Sequence, residues 1–165
     1  MIIIQFTDNK YPFYNDYIAQ VKQSLPENVE YELVTKTNII PNCNDYRATS
    51  NIIRCDLASK NPNMIWMDID VTINKWFDFE WKKGKVYFAQ NNAGRFINWA
   101  FYVNGRCDFF TDMMKYYEET KPNHIQWFYQ YCLTRRDEIE LIPNGYLNHE
   151  MMSVTLQSKI NKYGC

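Results

Sequence analysis

The stretch Met64-Ile65-Trp66-Met67-Asp68-Ile69-Asp70 decides the reading of this chain. Four consecutive apolar residues fit a strand buried on both faces, the kind found in parallel sheets. Two carboxylates one residue apart follow at its end. Like charges that close repel each other unless a cation stands between them. Carboxylate oxygens suit Mg²⁺ or Mn²⁺, and a diphosphate can fill the remaining coordination positions. The short pattern therefore carries two readings: a metal and phosphate site, or a pair of solvated aspartates ending a strand in a turn. The neighbouring sequence decides between them.

Working outward, Lys60-Asn61-Pro62-Asn63 is a turn leading into the strand, and a helix is expected before it from about Tyr46 to Ser59. Ala48, Ile52, Ile53 and Leu57 mark its buried side. Arg47, Asn51 and Arg54 fall at i, i+4 and i+7 and share another face, with Arg47 read as solvated surface. Asn44 or Asp45 is the expected N-cap. Further upstream, Ile2 to Phe6 reads as a buried strand rather than a leader peptide. Tyr14, Tyr17, Ile18, Val21 and Leu25 recur at helical spacing, and Pro26 stops that helix. Tyr31 to Val34 is a second short strand. Strand, helix and strand in this order point to a parallel α/β sheet.

Downstream, Val71 to Phe79 reads as irregular, with Trp76 and Phe77 buried. Strands are expected at Val86 to Ala89, at Phe96 to Val103 and at Ile139 to Ile142. Helices are expected around Phe109 to Tyr117 and from about Ile125 through Cys132, the latter capped by Asn123. Pro143-Asn144-Gly145 turns the chain into a tail that becomes helical from about Glu150. There is no internal repeat, low-complexity tract or linker, so residues 1–165 are read as a single domain.

Composition narrows the function classes. The chain is 46% hydrophobic and 17% aromatic, too apolar for disorder and rich enough in rings for stacking sites. Its 18 basic and 19 acidic residues leave a net charge of −1, and no Lys/Arg block indicates a nucleic-acid partner. The five cysteines are scattered, with no Cys-x-x-Cys, so they read as reduced thiols of a cytoplasmic protein rather than a zinc site. No run is long enough to make a transmembrane segment.

Read back from the carboxylates, the segment is Ala48-Thr49-Ser50-Asn51-Ile52-Ile53-Arg54, then Leu57, then Met64 to Asp70. It resembles the sugar-binding region of glycosyltransferases that carry a DxD motif. Capsular-polysaccharide-type and mannosyltransferase-like enzymes are members, and the large clostridial glucosylating toxins are similar. The family pattern is Ala-x-x-Ser-Asp-x-x-Arg on a helix, a turn, then an apolar strand ending in Asp-x-Asp. Here Asn51 stands in place of the helix aspartate, and Asn61-Pro62-Asn63 in place of the usual Gly-Gly. Downstream, Asn98-Trp99-Ala100 resembles the asparagine-bearing strand beside the donor sugar. Gln126 resembles the Gln of an Asp-Gln pair, with Ile125 where the Asp would be. His149 lies where many such enzymes place a further metal ligand.

The resemblance implies a GT-A fold, an α/β sandwich around one mainly parallel nucleotide-binding sheet. It implies a nucleotide-diphosphate sugar as donor, an acceptor that is a saccharide, a protein or another molecule, and a Mn²⁺ or Mg²⁺ cofactor. It assigns Arg54, Asn51, Asp68, Asn98 and Gln126 to the donor, and Asp70, Asp68 and His149 to the metal. Arg54 also has a structural reading, as a salt bridge to Asp68. His124 has less support than His149. Phe6, Tyr11 and Trp66 could stack on a base, with core packing as the default. Asp108, Asp112, Asp137 and Glu138 are available as a catalytic base, and no motif singles one out.

Two other functions compete. Asp68-Ile69-Asp70-Val71-Thr72 resembles the Asp-x-Asp-x-Thr box of haloacid-dehalogenase-type phosphatases, which also need a Lys and a later acidic pair around Mg²⁺. A non-catalytic nucleotide-sugar-binding protein on the same scaffold is the third reading.

Overall fold

A computed structural model describes residues 1–7, 13–35, 46–122 and 126–149, with side chains from Thr49 onward in the third of these segments. The expectations placed on Tyr11, Arg47, Asn123, His124, Ile125 and the tail from Glu150 lie outside what is described.

The chain begins with strand β1 (Ile2–Phe6), helix α1 (Tyr14–Ser24) and strand β2 (Glu30–Val34). Tyr17, Ile18 and Val21 form the buried stripe of α1. The helix stops as Leu25 turns extended ahead of Pro26, whose ring disfavours a helical predecessor. Helix α2 (Tyr46–Ala58) and strand β3 (Met64–Met67) follow, and all four β3 residues are buried. Next come β4 (Val71–Ile73), β5 (Val86–Gln90) and β6 (Phe96–Tyr102), then helices α3 (Cys107–Thr120) and α4 (Trp127–Thr134). A 3-10 turn (Arg136–Glu138) leads to β7 (Ile139–Leu141) and β8 (Leu147–His149).

Six strands form one sheet in the order β2-β1-β3-β6-β5-β7, with β6 antiparallel to both of its neighbours and the other pairings parallel. Helices α2, α3 and α4 cover one face. Trp66, Phe88, Phe101, Phe109, Phe110 and Phe128 fill that layer. The other face packs Ile3, Ile65 and Tyr87 against Val21 of α1 and against rings of the loop after β4. Trp81 of that loop lies 4.2 Å from Phe79 and 4.7 Å from Tyr87 between ring centroids. The chain is thus a mixed α/β sandwich around a mainly parallel sheet, as expected.

Two expectations need correction. Val71–Ile73, read as irregular, is a strand, and Leu147–His149, read as the start of a tail, is its antiparallel partner. Each has only three residues, too few for a period of two to show in the sequence. Their pairing creates a second, two-stranded sheet that lays His149 opposite Val71.

The ladder between β5 and β6 is also broken. Phe88 pairs with Phe101, while the next residue, Ala89, pairs with Ile97. Asn98, Trp99 and Ala100 bulge out of register with β5 at this point. Bulges of this kind re-aim side chains beside functional sites. Here Asn98 is directed at α2 and α4, and Trp99 at the opposite layer.

Candidate functional site

Asp68 and Asp70 emerge at the carboxyl end of β3, where the sheet changes from parallel to antiparallel pairing. Carboxyl ends of strands at such points are the usual ligand sites of open α/β sheets. The turn carrying the carboxylates is fixed through its backbone. Asp68 N–H donates to the Trp99 carbonyl at 2.7 Å, and Val71 N–H donates to the Asp68 carbonyl at 3.0 Å. Gln5, fully buried in β1, donates from Nε2 to the same Asp68 carbonyl at 3.0 Å. Its Oε1 in turn accepts from the Tyr31 hydroxyl at 2.8 Å.

The two side chains go to different partners. Asp68 Oδ1 accepts from Trp66 Nε1 at 2.9 Å and pairs with Arg54 Nη2 at 2.9 Å. The Asp68 side chain is 28% exposed, whereas Arg54 is 3% exposed overall. Burial pushes the Asp68 carboxyl up, and the Arg54 guanidinium opposes that shift by favouring the charged form. Arg54 spends the rest of its fork nearby. Nε donates to the Ser50 carbonyl at 3.2 Å, Nη2 to Ser50 Oγ at 2.7 Å, and Nη1 to the Asn98 carbonyl. Its guanidinium also lies 5.1 Å from the Trp66 ring centroid. The salt-bridge reading of Arg54 is therefore what the geometry shows.

Asn98 extends this network. Its Nδ2 donates to Asn51 Oδ1 at 2.7 Å, and its Oδ1 accepts from the Tyr129 hydroxyl at 2.6 Å. Burial pushes the Tyr129 phenol up, which keeps it protonated and able to donate. Arg54, Asn51, Asp68 and Asn98, assigned to one function from the sequence, are thus one connected group. Gln126 is exposed at the start of α4, and Tyr129, one turn later, is the residue of that helix that reaches Asn98.

Asp70 faces His149. Asp70 is 5% exposed overall, and its Oδ2 lies 3.4 Å from His149 Nε2. Among the described residues that buried oxygen has no hydrogen-bond partner, and neither has His149 Nδ1. The His149 ring stacks on Trp99 at 4.9 Å and 3°, which fixes its plane. Unpartnered buried acceptors are costly unless something satisfies them. Two ligand atoms each about 2.1 Å from an octahedral Mg²⁺ stand about 3 Å apart at right angles, so a cation fits the Asp70 and His149 pair. Among the described residues no three His, Cys, Asp or Glu side chains converge on one point. Mg²⁺-type sites that hold a substrate diphosphate commonly use only one or two protein carboxylates. Asp68, turned towards Arg54, borders the pair rather than completing a three-residue cage.

The carboxylates considered as bases lie elsewhere. Asp108 and Glu138 pair with Arg106, and Asp112 and Glu138 with Arg135, in one surface network. Asp137 sits in the 3-10 turn after α4, exposed. Phe6 and Trp66 are core residues.

Sequence reasoning missed Gln5 and Tyr129, and it met Ser50 and Trp99 only as members of the quoted motifs, with no role of their own. Gln5 left a signal, as a polar residue inside the otherwise apolar strand Ile2–Phe6. Tyr129 and Trp99 left none, because a ring in a helix or strand looks the same whether it packs or positions.

Beside His149 and Trp99 opens a cavity of about 530 Å³, walled by the ends of β5 and β6 and by residues 142–149.

No protein-family model matches the chain, and no curated protein matches its sequence. Solved structures do match its fold. It is similar to a glycosyltransferase involved in glycosylation of the major capsid of PBCV-1, with a TM-score of 0.66 at 11% identity over 97% of this chain and 98% of that one. It is also similar to the glycosyltransferase GlyE of Streptococcus pneumoniae TIGR4, with a TM-score of 0.59 at 9% identity over 87% of this chain. The chain spans 45% of the length of GlyE. At these identities the likeness establishes the architecture, a GT-A-type α/β fold.

Proposed function

We propose that this protein is a metal-dependent glycosyltransferase that moves a sugar from a nucleotide-diphosphate donor to an acceptor hydroxyl. The observation carrying the proposal is the convergence of Asp70 and His149 beside the Arg54–Asp68–Asn98 network at the carboxyl end of β3. In such a transfer the bond from the anomeric carbon to the diphosphate oxygen breaks. A bond to the acceptor oxygen forms, and the acceptor hydroxyl loses its proton. Mn²⁺ or Mg²⁺ would supply neutralisation of the negative charge that develops on the departing diphosphate.

The residues divide this work by position. Asp70 Oδ2, buried without a hydrogen-bond partner among the described residues, and His149 Nε2, 3.4 Å from it, would hold the cation. Asp68, oriented by Trp66 and Arg54, presents its open flank towards the donor's ribose or sugar. Asn51, 4% exposed, backs Asn98 on the α2 side, and Tyr129 braces the same amide, so Asn98 is the member of the pair placed to meet a donor sugar. Gln126, exposed at the start of α4, is the remaining donor candidate. Two further features support the reading: the family pattern over residues 48–70, and a fold shared with known glycosyltransferases.

The phosphatase reading is disfavoured. It would make Asp68 the nucleophile, but Oδ1 of Asp68 is held by Arg54 and Trp66. The test is incubation with a panel of nucleotide-diphosphate sugars, with Mn²⁺ and with EDTA, followed by chromatography of the nucleotide. Release of nucleoside diphosphate only with metal is expected. Metal-dependent binding without turnover for any donor, with or without added acceptor, would leave a binding protein instead.

A further inference from the structure

Adjacent residues of β6 serve the two sides of the site. Asn98 joins Asn51 and Tyr129 on the helical side, whereas Trp99 stacks on His149 on the other and lines the cavity. Both lie in the stretch of β6 that is out of register with β5. The cavity thus begins where the candidate metal pair ends, on the side away from Arg54. His149 belongs to both.

Its lining is unusual in charge. Among the described residues of the wall, none apart from His149 is ionisable. Amides dominate the polar part: Gln90, Asn91, Asn92, Asn144 and Asn148. Two of them build the wall. Gln90 Nε2 donates to the Ile142 carbonyl at 2.8 Å, and Asn91 Oδ1 accepts from Ala93 and Arg95 backbone N–H groups at 3.0 Å each. Asn92, Asn144 and Asn148 are exposed around the opening. Each amide offers donors and an acceptor together, which matches a hydroxyl that both donates and accepts. Ile97, Pro143, Leu147 and the Trp99 ring supply apolar surface for the C–H faces of a ring. Away from His149, a carboxylate or ammonium ligand would find no charged side chain among the described lining residues to offset its desolvation.

We propose that this cavity is the acceptor subsite and that it takes an uncharged saccharide. This rests on the transferase reading for the word acceptor. The saccharide class rests on the cavity itself. A volume of about 530 Å³ accommodates one or two sugar rings.

The test uses methyl glycosides of glucose, galactose, mannose and rhamnose as probes, with glucuronate and glucosamine as charged counterparts. Saturation-transfer NMR is recorded on the intact protein, alone and with Mn²⁺ and a nucleoside diphosphate. Nucleotide binding is measured in the same samples as a separate arm. At least one neutral glycoside is expected to bind, fivefold or more tightly than either charged sugar. Asn92→Ala and Asn148→Ala, both at exposed positions, should each weaken it at least fivefold without moving the thermal midpoint. Failure of every neutral glycoside in both conditions would overturn the inference, as would equal binding of glucuronate or unchanged affinity in both variants. Saccharide binding without any nucleotide binding would keep the cavity and remove the transferase reading. Nucleotide binding without saccharide binding would do the reverse.

Discussion

Asp70 Oδ2 and His149 Nε2 lie 3.4 Å apart, brought together by a two-stranded ladder in which Val71 pairs with His149. Val71 of this ladder is fully buried in the layer opposite α2–α4 and Ile73 and Leu147 pack against that layer, whereas His149 is the last residue of β8. His149→Ala is expected to retain the fold and to weaken Mn²⁺-dependent nucleotide binding roughly tenfold to a hundredfold, the range for disturbing a metal's surroundings. Titration calorimetry checks this. Unchanged affinity would remove His149 from the ligand set.

Arg54 is held by four acceptors and is almost fully buried, so its first duty is structural. Arg54→Ala leaves the Asp68 carboxylate without its cation and should cost about 3–5 kcal/mol of stability. The double variant Arg54→Ala, Asp68→Asn should recover part of that loss, because the unpaired charge is gone. Denaturant unfolding of the four proteins measures the coupling. Strict additivity of the two single changes would contradict the ion pair.

Tyr129→Phe removes one hydroxyl that orients Asn98. A single neutral hydrogen bond of this kind contributes about 0.5–1.5 kcal/mol. A small drop in thermal midpoint is expected, together with a several-fold loss of kcat/KM for the donor, the two arising from one freed amide. An effect on stability alone would make Tyr129 a packing residue.

The Arg106, Arg135 and Glu138 cluster ties the start of α3 to the turn after α4. Hydrogen bonds from Arg135 lower the Glu138 carboxyl, burial opposes this, and Arg106 adds to the lowering. A lowered carboxyl stabilises the fold above its unfolded value and ceases to do so as pH falls through its folded value. The stability gap between wild type and Glu138→Gln should therefore be constant above pH 4.5, the ordinary value, and shrink below it. Urea unfolding between pH 7 and 3 shows this. A gap that does not change with pH would contradict it.

Much of the site was readable because its residues lie close in sequence. Residues 48–70 carry the helix, the turn and the carboxylate strand in one run, so Arg54, Asn51, Asp68 and Asp70 could be assigned together. Asn98 followed from its strand. The β4–β8 ladder could not be read, since three-residue strands have no legible period, and the position of His149 was expected without the contact that places it. The division of the carboxylates was also hidden. Spacing puts Asp68 and Asp70 together at one strand end, but only the fold shows Asp68 turned to Arg54 and Asp70 to His149. Gln5 and Tyr129 act through tertiary contacts that no local pattern encodes.

The two aspartates should respond differently. Asp70→Asn should lower metal and diphosphate binding together and cost about 2–4 kcal/mol of transition-state stabilisation, the scale for losing one electrostatic stabiliser. Asp68→Asn should damage donor kinetics and retain the metal. If Asp68 were a phosphatase nucleophile, a fluoride analogue would trap a phosphoryl mimic on it and its substitution alone would abolish turnover.

The most direct test of the central claim is calorimetric titration of a panel of nucleoside diphosphates into wild type and Asp70→Asn, each with Mn²⁺ and with EDTA. The account predicts binding of at least one nucleotide to wild type with Mn²⁺, at least tenfold weaker in EDTA and in the variant. Equal affinity with and without metal, an unaffected Asp70→Asn protein, or no binding across the panel would contradict it.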